Sequence, residues 1–188
     1  MSEVLTFLNR VDTWLFVFFN VHLANSFFDV LMPFVTNKHN WYPVWALTVV
    51  LLMWKGGRKG RWVVLIALLA VATSDIAVNR FLKPLLHRVR PCNVVENAHL
   101  LLGKKSSFSM PSSHATNFFT LATVFAYYYK KYQIVFWLLA ALVAYSRIAV
   151  GVHYPFDVLV GAALGILIGR LWIYFFKQML ASKNYPWL

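Results

Sequence analysis

Histidines, an aspartate, arginines and lysines fall into three short segments of this chain. One runs from Lys83 to Arg90-Pro91, the second reads Pro-Ser-Ser-His and ends at His114, and the third runs from Ser146-Arg147 through His153 to Asp157. Fixed cations neutralise a phosphate, hydroxyl groups at a helix start bind it, and histidine either attacks phosphorus or donates a proton. These residue types therefore predict a phosphate-transfer site.

The composition predicts that this site lies in a membrane. The chain is 60% hydrophobic, 18% aromatic and 13% charged, which leaves too little polar surface for an ordinary soluble domain. Apolar segments that suit a hydrocarbon core about 30 Å thick occur at residues 14–35, 41–54, 61–86, 112–129, 132–152 and 154–176. We therefore predict an all-α bundle of about six transmembrane helices, forming one integral membrane domain over residues 1–188.

Polar residues make the first of these spans the weakest prediction. It contains Asn20, His22, Asn25 and Asp29. In the alternative, residues 5–21 form an amphipathic helix in the membrane interface, followed by a short crossing. No short apolar run after Met1 ends in a small-residue cleavage site, so we expect the amino terminus to stay in the mature protein.

Positive charges predict how the bundle is oriented. If the helices alternate, the loop at 55–61, the pair Lys130-Lys131 and the tail with Lys177 and Lys183 share one side, which the charge excess makes cytoplasmic. The third span then ends, the fourth begins and the fifth ends on the opposite side. The three segments converge there, facing away from the cytoplasm, and we expect both termini on the cytoplasmic side of the inner membrane.

The charge and the acidic residues exclude some functions. Although the net charge is +12, the cations are spread between apolar runs and do not form the basic face of a nucleic-acid binder. The expected partners are the bilayer and a lipid phosphate substrate. The six acidic residues form no paired-carboxylate motif, and no His-Glu-x-x-His sequence occurs. We therefore expect neither metal nor cofactor, and activity that survives chelators.

The three segments together resemble the signature motifs of the type 2 phosphatidic acid phosphatase superfamily, lipid phosphate phosphatases that share a helical core with vanadium haloperoxidases. The match consists of Lys, six residues and Arg-Pro; Pro-Ser-x-His; and Ser-Arg, five residues, His, three residues and Asp, within residues 83–157. Three motifs in order are more specific than any one alone. The main departure is Ser113, where members often have glycine; its side chain narrows the approach to the phosphate and leaves its N–H available.

The resemblance and the chemistry of the side chains agree on the roles. We expect His153 to attack phosphorus and form a phosphohistidine, Asp157 to orient it, and His114 to protonate the leaving oxygen. Groups that donate hydrogen bonds or carry positive charge are expected to bind the phosphate: Lys83, Arg90, Ser112, the backbone N–H of Ser113, and Arg147.

The sequence narrows the substrate only to a class. Small bacterial-type members act on lipid A 1-phosphate, undecaprenyl diphosphate or phosphatidylglycerophosphate, and this compact chain resembles them. The alternatives are a phosphatase of soluble phosphate esters and a non-catalytic lipid-phosphate binder or transporter. A binder needs the cations but neither histidine. Oligomeric state, the loop at 92–110 and the roles of Asp75, Arg80, His87 and Arg88 stay open.

Overall fold

The computed structural model describes residues 2–181, and every regular element among them is helical. The helices are α1 (Ser2–Val17), α2 (Ser26–Thr36), α3 (Lys38–Lys55), α4 (Gly57–Ile76), α5 (Lys83–Leu86), α6 (Pro91–Val94), α7 (Ser113–Tyr128), α8 (Gln133–Ala149) and α9 (Pro155–Leu180). Wider π-type turns extend α1 over Phe18–His22 and join α4 to α5 over Ala77–Leu82, and a 3₁₀ turn at Lys130–Tyr132 precedes α8. The predicted all-α class is confirmed.

Four helical stretches are long and apolar enough to cross a membrane: Glu3–His22, Gly57–Val94, Lys130–Ala149 and Pro155–Leu180. The remaining long helices pack onto them, with α7 against α4, α8 and α9, and α3 against α4. Large apolar side chains such as Phe81 and Leu167 are exposed on the outside of this bundle. An outward apolar surface over helices with internally satisfied backbones is what a lipid environment requires.

The long helices alternate, so that α4 ends, α7 begins, α8 ends and α9 begins at one end of the bundle, here called the site end. The backbone N–H of Ser112 donates to the carbonyl oxygen of Asp157 at 3.0 Å, which ties the start of α7 to the start of α9. His153 lies in the turn between α8 and α9. The predicted convergence of the three segments is confirmed.

The first predicted span, residues 14–35, is wrong as a single helix. The helix that begins at Ser2 ends at His22, and α2 begins after Asn25, whose side chain accepts a hydrogen bond from the N–H of Phe28 at 3.0 Å. Asn25 is thus the N-cap of a separate helix. The alternative prediction of a separate helix over residues 5–21 agrees with this break.

Helices α1 and α2 both pack at the site end. Asp12 of α1 accepts a hydrogen bond from the first turn of α9, and Asn20 donates to the last carbonyl groups of α8 at 2.9 and 3.1 Å. Thr36 of α2 accepts a hydrogen bond from Arg147. The prediction that both termini lie on the cytoplasmic side stays a prediction.

The opposite end of the bundle collects the cations used to predict orientation. Lys59 lies 4.9 Å from the ring centroid of Tyr129, and Lys177 lies 5.7 Å from that of Tyr127, so the α3–α4 turn, the end of α7 and the end of α9 are neighbours. Amphipathic aromatic rings beside cations suit a headgroup region. The predicted grouping of these cations is confirmed for the described residues; Lys183 lies outside them.

Glycines let α9 lie close against α7. Three buried glycines follow one another at four-residue spacing on α9: Gly161, Gly165 and Gly169. A Cβ atom on Gly165 would lie 2.3 Å from the carbonyl oxygen of Thr116. Small residues permit such close backbone approach in membranes, where packing rather than the hydrophobic effect holds helices together.

We expect Gly165→Leu to destabilise the protein by more than ~2 kcal/mol, because its side chain would collide with the α7 backbone. Ala163→Leu adds similar bulk on the exposed face of α9 and serves as the control. Thermal unfolding in detergent compares the two variants. Equal stability of both would contradict the close α7–α9 contact.

Candidate active site

The three segments line one cavity of about 350 Å³, here called the active-site cavity. Among the residues that sequence reasoning selected, it is lined by Lys83, Arg90, Ser113, His114, Arg147 and His153. The two others lie behind this surface: Asp157 beneath His153, and Ser112 at the N-cap of α7. Lining residues that the sequence analysis did not select are Lys38, Asp75, Asn79, Asn117 and Phe118.

Hydrogen bonds indicate which nitrogen of His153 carries its proton. Nε2 lies 3.0 Å from Nη1 of Arg90, and Nδ1 lies 3.5 Å from Oδ2 of Asp157. Arginine only donates hydrogen bonds, so Nε2 must accept and the proton belongs on Nδ1, facing the carboxylate. This tautomer leaves the lone pair of Nε2 beside the cation that would bind a phosphate.

Asp157 is completely buried, and hydrogen bonds to both of its carboxylate oxygens hold it in place. Oδ2 accepts hydrogen bonds from the hydroxyl of Ser109 and from the N–H of Tyr154, the latter at 2.8 Å. Oδ1 accepts from Nη1 of Arg88 at 2.8 Å. The bond to Tyr154 is half of a capping box that begins α9, so the start of this helix places the carboxylate next to His153.

Arg88 connects the site to the N-terminal helix, a role that sequence reasoning missed. Its Nη2 lies 2.7 Å from Oδ2 of Asp12, and its guanidinium group stacks 4.3 Å from the ring centroid of Tyr154. Asp12 is itself fully buried and accepts from the N–H of Phe156 at 2.9 Å. Arg88 thus lies between two buried carboxylates. An acidic residue inside an apolar helix was the available signal for Asp12.

Arg90 is anchored by the backbone rather than by a carboxylate. Its Nε donates to the carbonyl oxygen of Ser107 at 2.7 Å, and its Nη1 donates to that of Val152 at 2.8 Å. These bonds hold the guanidinium group in place while leaving its charge uncompensated. Ser107 and Ser109 belong to the loop before α7, and no motif in the sequence indicated them.

The other phosphate-binding candidates have donors to spare. Nε of Arg147 and Oγ of Ser112 are buried without a hydrogen-bond partner among the described residues. Within residues 2–181, no carboxylate oxygen lies within 4 Å of Lys83, Arg90 or Arg147. Buried unpaired donors and cations are costly unless an anion binds them. The arrangement therefore fits a tetrahedral oxyanion.

Ser113 differs from its neighbour. Its hydroxyl donates to Oδ1 of Asn79 at 2.9 Å. The hydroxyl is therefore used within the cavity wall, and the backbone N–H, at the start of α7, is the group left for a phosphate.

No three His, Cys, Asp or Glu side chains within residues 2–181 are grouped as a metal site requires. The chemistry available here is that of histidine, carboxylate and fixed cations.

Comparison with known sequences identifies the family of this chain. Residues 62–180 match the family model of the PAP2 superfamily. A lipid A 4'-phosphatase of Bacteroides thetaiotaomicron is 34% identical over 184 residues, which cover 92% of this chain and 79% of the relative. An undecaprenyl-diphosphatase of Sulfolobus acidocaldarius is 33% identical over 162 residues, 82% of this chain and 71% of the relative.

Solved structures agree with the sequence relatives. The crystal structure of Aquifex aeolicus LpxE superposes with a TM-score of 0.68 at 27% identity, covering 86% of this chain and 94% of LpxE. A PAP2-type phosphatidylglycerolphosphate phosphatase from Bacillus subtilis has the same fold, with a TM-score of 0.72 at 23% identity over 96% of this chain and 89% of its own. The chain belongs to the PAP2 superfamily and is a membrane-embedded lipid phosphatase, a hydrolase of phosphoric esters.

Burial keeps His153 neutral in this site. The loss of water around the ring lowers its pKa to about 3; a hydrogen bond with Asp157 opposes this shift, and the charges of Arg90 and Arg147 add to it. Neutral imidazole is the form that can attack phosphorus.

This shift predicts how stability depends on pH. The unfolded chain protonates this histidine below about pH 6.5, but the folded protein does so only near pH 3. Stability therefore falls as the pH falls through this window. We expect His153→Gln to remove a slope of up to ~1.4 kcal/mol per pH unit between about pH 6 and 4. Thermal unfolding of both proteins across that range measures how stability changes with pH. Parallel slopes for the two proteins would contradict a lowered pKa of His153 in the folded state.

Proposed function

We propose that this protein removes a phosphate from a membrane lipid by two in-line displacements at His153. The observation that carries the proposal is the geometry of His153: Nδ1 faces the fixed carboxylate of Asp157, and Nε2 faces Nη1 of Arg90 in the cationic cavity. In the first step Nε2 bonds to phosphorus as the P–O ester bond breaks. The imidazole ring becomes positively charged, and Asp157 stabilises it.

His114 handles the protons in this scheme. It is the second residue of α7 and lines the cavity with His153. It donates a proton to the leaving ester oxygen in the first step, and in the second it accepts one from the water that breaks the P–N bond and releases phosphate. One histidine thus stays bonded to phosphorus while the other moves protons.

The cations and the start of α7 supply electrostatic stabilisation. Lys83, Arg90 and Arg147 surround the equatorial oxygens, where charge concentrates in the transition state. Ser112 and the first N–H groups of α7 add hydrogen bonds at the positive end of a helix. Arg147 and Ser112 each keep a buried unpaired donor among the described residues, which supports a phosphate contact.

A lipid substrate is supported by apolar cavities next to the site. Phe118 lines both the active-site cavity and a small apolar cavity. Trp45, Leu121 and Phe125 line that small cavity and a larger one of about 260 Å³ between α3, α4 and α7. A hydrocarbon chain fits such a lining. The substrate class is that of lipid A phosphates, undecaprenyl diphosphate and phosphatidylglycerophosphate, which we favour over soluble phosphate esters.

We place the protein in the cytoplasmic membrane, with the site end facing the periplasm or exterior. Support comes from the cations at the opposite end, including Lys59 and Lys177, which the positive-inside tendency assigns to the cytoplasm. In this arrangement α9 ends on the cytoplasmic side, and Asp12 and Asn20 of the N-terminal helix lie at the site end.

Phosphate release by purified protein in detergent tests the proposal. With a chelator present, we expect release from at least one of lipid A, undecaprenyl diphosphate and phosphatidylglycerophosphate, because no step uses a metal. We expect His153→Ala to lose at least about 10⁴-fold in kcat, as removal of a nucleophile does. Binding without release by the wild type would favour the capture or transport alternative, and loss of release on chelation would point to a metal enzyme.

Arg88→Met tests the positioning of Asp157. We expect kcat to fall at least about tenfold with KM within about twofold, because Arg88 orients the carboxylate but lies behind the cavity surface. Arg88→Lys should recover part of the loss. The control, Arg10→Met, removes an exposed guanidinium group from α1. A rise in KM with unchanged kcat, or no recovery with lysine, would contradict the positioning role.

A further inference from the structure

A connected group of polar side chains lies beside the phosphate-binding residues, on α4, the turn after it and α7. Asp75 Oδ1 accepts hydrogen bonds from the side-chain amides of Asn79 and Asn117, at 2.9 and 3.3 Å. The hydroxyl of Ser113 donates to Asn79 at 2.9 Å, and that of Ser74 donates to Asn117 at 2.6 Å. We call these five residues the amide cluster. The mechanism above uses only the backbone N–H of one of them.

The amide cluster lies further into the bundle than the phosphate ligands. Asp75 and Asn79 come eight and four residues before Lys83 on one continuous run of helix, and Asn117 lies one turn beyond Ser113 on α7. Asp75, Asn79 and Asn117 all line the active-site cavity. The cavity thus has a cationic part at the helix ends and, toward the middle of the bundle, a part with one carboxylate and two amides.

One acceptor in the deeper part is available to a ligand. Asp75 is exposed, and both amide hydrogen bonds go to its Oδ1, so Oδ2 receives none from the described residues. No cation among residues 2–181 lies within 4 Å of this carboxylate. In apolar surroundings a carboxylate oxygen binds hydroxyl or ammonium donors strongly and repels a second anion.

The position of the cluster decides which part of a substrate it meets. The terminal phosphate occupies the cationic part, and Phe118, next to Asn117 in the chain, lines both this cavity and the small apolar one. The group that links phosphate to lipid therefore lies against Asp75. In the sugar of lipid A or the glycerol of phosphatidylglycerophosphate that group carries hydroxyl or amide N–H donors, whereas in a prenyl diphosphate it is another phosphate.

From this juxtaposition, and resting on the phosphatase function proposed above, we infer that the amide cluster is a headgroup subsite. It selects phosphate monoesters of a sugar or of glycerol, whose nearby atoms carry hydroxyl or amide N–H donors, and disfavours diphosphates. Ser113, the departure from the usual glycine, contributes by fixing Asn79. The side-chain amide of each asparagine has a second N–H, which can donate to oxygen atoms of the same headgroup.

Substrate selectivity of Asp75→Asn tests the inference. The substrates are lipid A, phosphatidylglycerophosphate and undecaprenyl diphosphate, with para-nitrophenyl phosphate as a probe that lacks a headgroup. We expect the ratio of kcat/KM for the preferred monoester over the diphosphate to fall at least about tenfold, because a charge-assisted contact is lost and a repulsion is relieved. Comparing the two monoester lipids shows whether sugar or glycerol is the better headgroup.

Two further variants keep the test decisive. Ser113→Gly restores the residue common in the family and releases Asn79, so we expect a smaller fall in the same ratio even if Asp75→Asn is poorly folded. The control, Asp29→Asn, removes a carboxylate that pairs with His99 at 2.8 Å outside the cavity, and should leave the ratio unchanged.

The outcomes separate this inference from the proposed function. A ratio unchanged in both cluster variants, or equal losses on all substrates including para-nitrophenyl phosphate, would overturn the subsite. A wild-type preference for the diphosphate would overturn it as well. Absence of hydrolysis of every substrate by the wild type would instead refute the phosphatase function itself.

Discussion

The site depends on one buried carboxylate. Asp157 has no access to water and would be expensive to keep charged if it were not surrounded by donors. Arg88, Ser109 and the N–H of Tyr154 supply them from three different parts of the chain. Oδ2 of this carboxylate faces Nδ1 of His153. The tautomer of that histidine, and hence which nitrogen attacks, follows from this arrangement.

Arg88 makes this arrangement electrically balanced. A single guanidinium group beside Asp157 would cancel the charge that His153 needs when phosphorus bonds to it. Asp12 occupies the other side of Arg88, at 2.7 Å, and compensates it. The N-terminal helix, which lies before the matched family region at residues 62–180, therefore helps to position the carboxylate beside His153, the proposed nucleophile.

The cavity has parts of different charge. Uncompensated cations lie at the helix ends, where we propose that the phosphate binds, and amides with one carboxylate lie deeper, where we propose that the rest of the headgroup binds. Apolar side chains continue from Phe118 between the helices. Charge changes from positive to weakly negative to none over a few helical turns, which matches the order of groups in a glycolipid or glycerolipid monophosphate.

Sequence patterns predicted the class, the convergence of the three segments and six of the residues that line the cavity, because motif spacing and apolar run length are local properties. They did not predict which side chains hydrogen-bond to the site residues. Asp12 lies 144 residues from Phe156, to which it hydrogen-bonds, and Ser109 lies 48 residues from Asp157. Tertiary packing alone brings these pairs together. The break after His22 was predicted only as the alternative, a separate helix over residues 5–21, and the N-cap at Asn25 shows where the next helix begins.

Trapping the phosphorylated enzyme tests directly whether His153 attacks phosphorus. Wild-type protein is mixed with a ³²P-labelled lipid phosphate, quenched in alkali within milliseconds and digested for peptide mapping. We expect an alkali-stable, acid-labile label on His153. We expect this label to be lost in Asp157→Asn, in which the histidine is no longer held in the attacking tautomer. Label on another residue, or full labelling in Asp157→Asn, would contradict it.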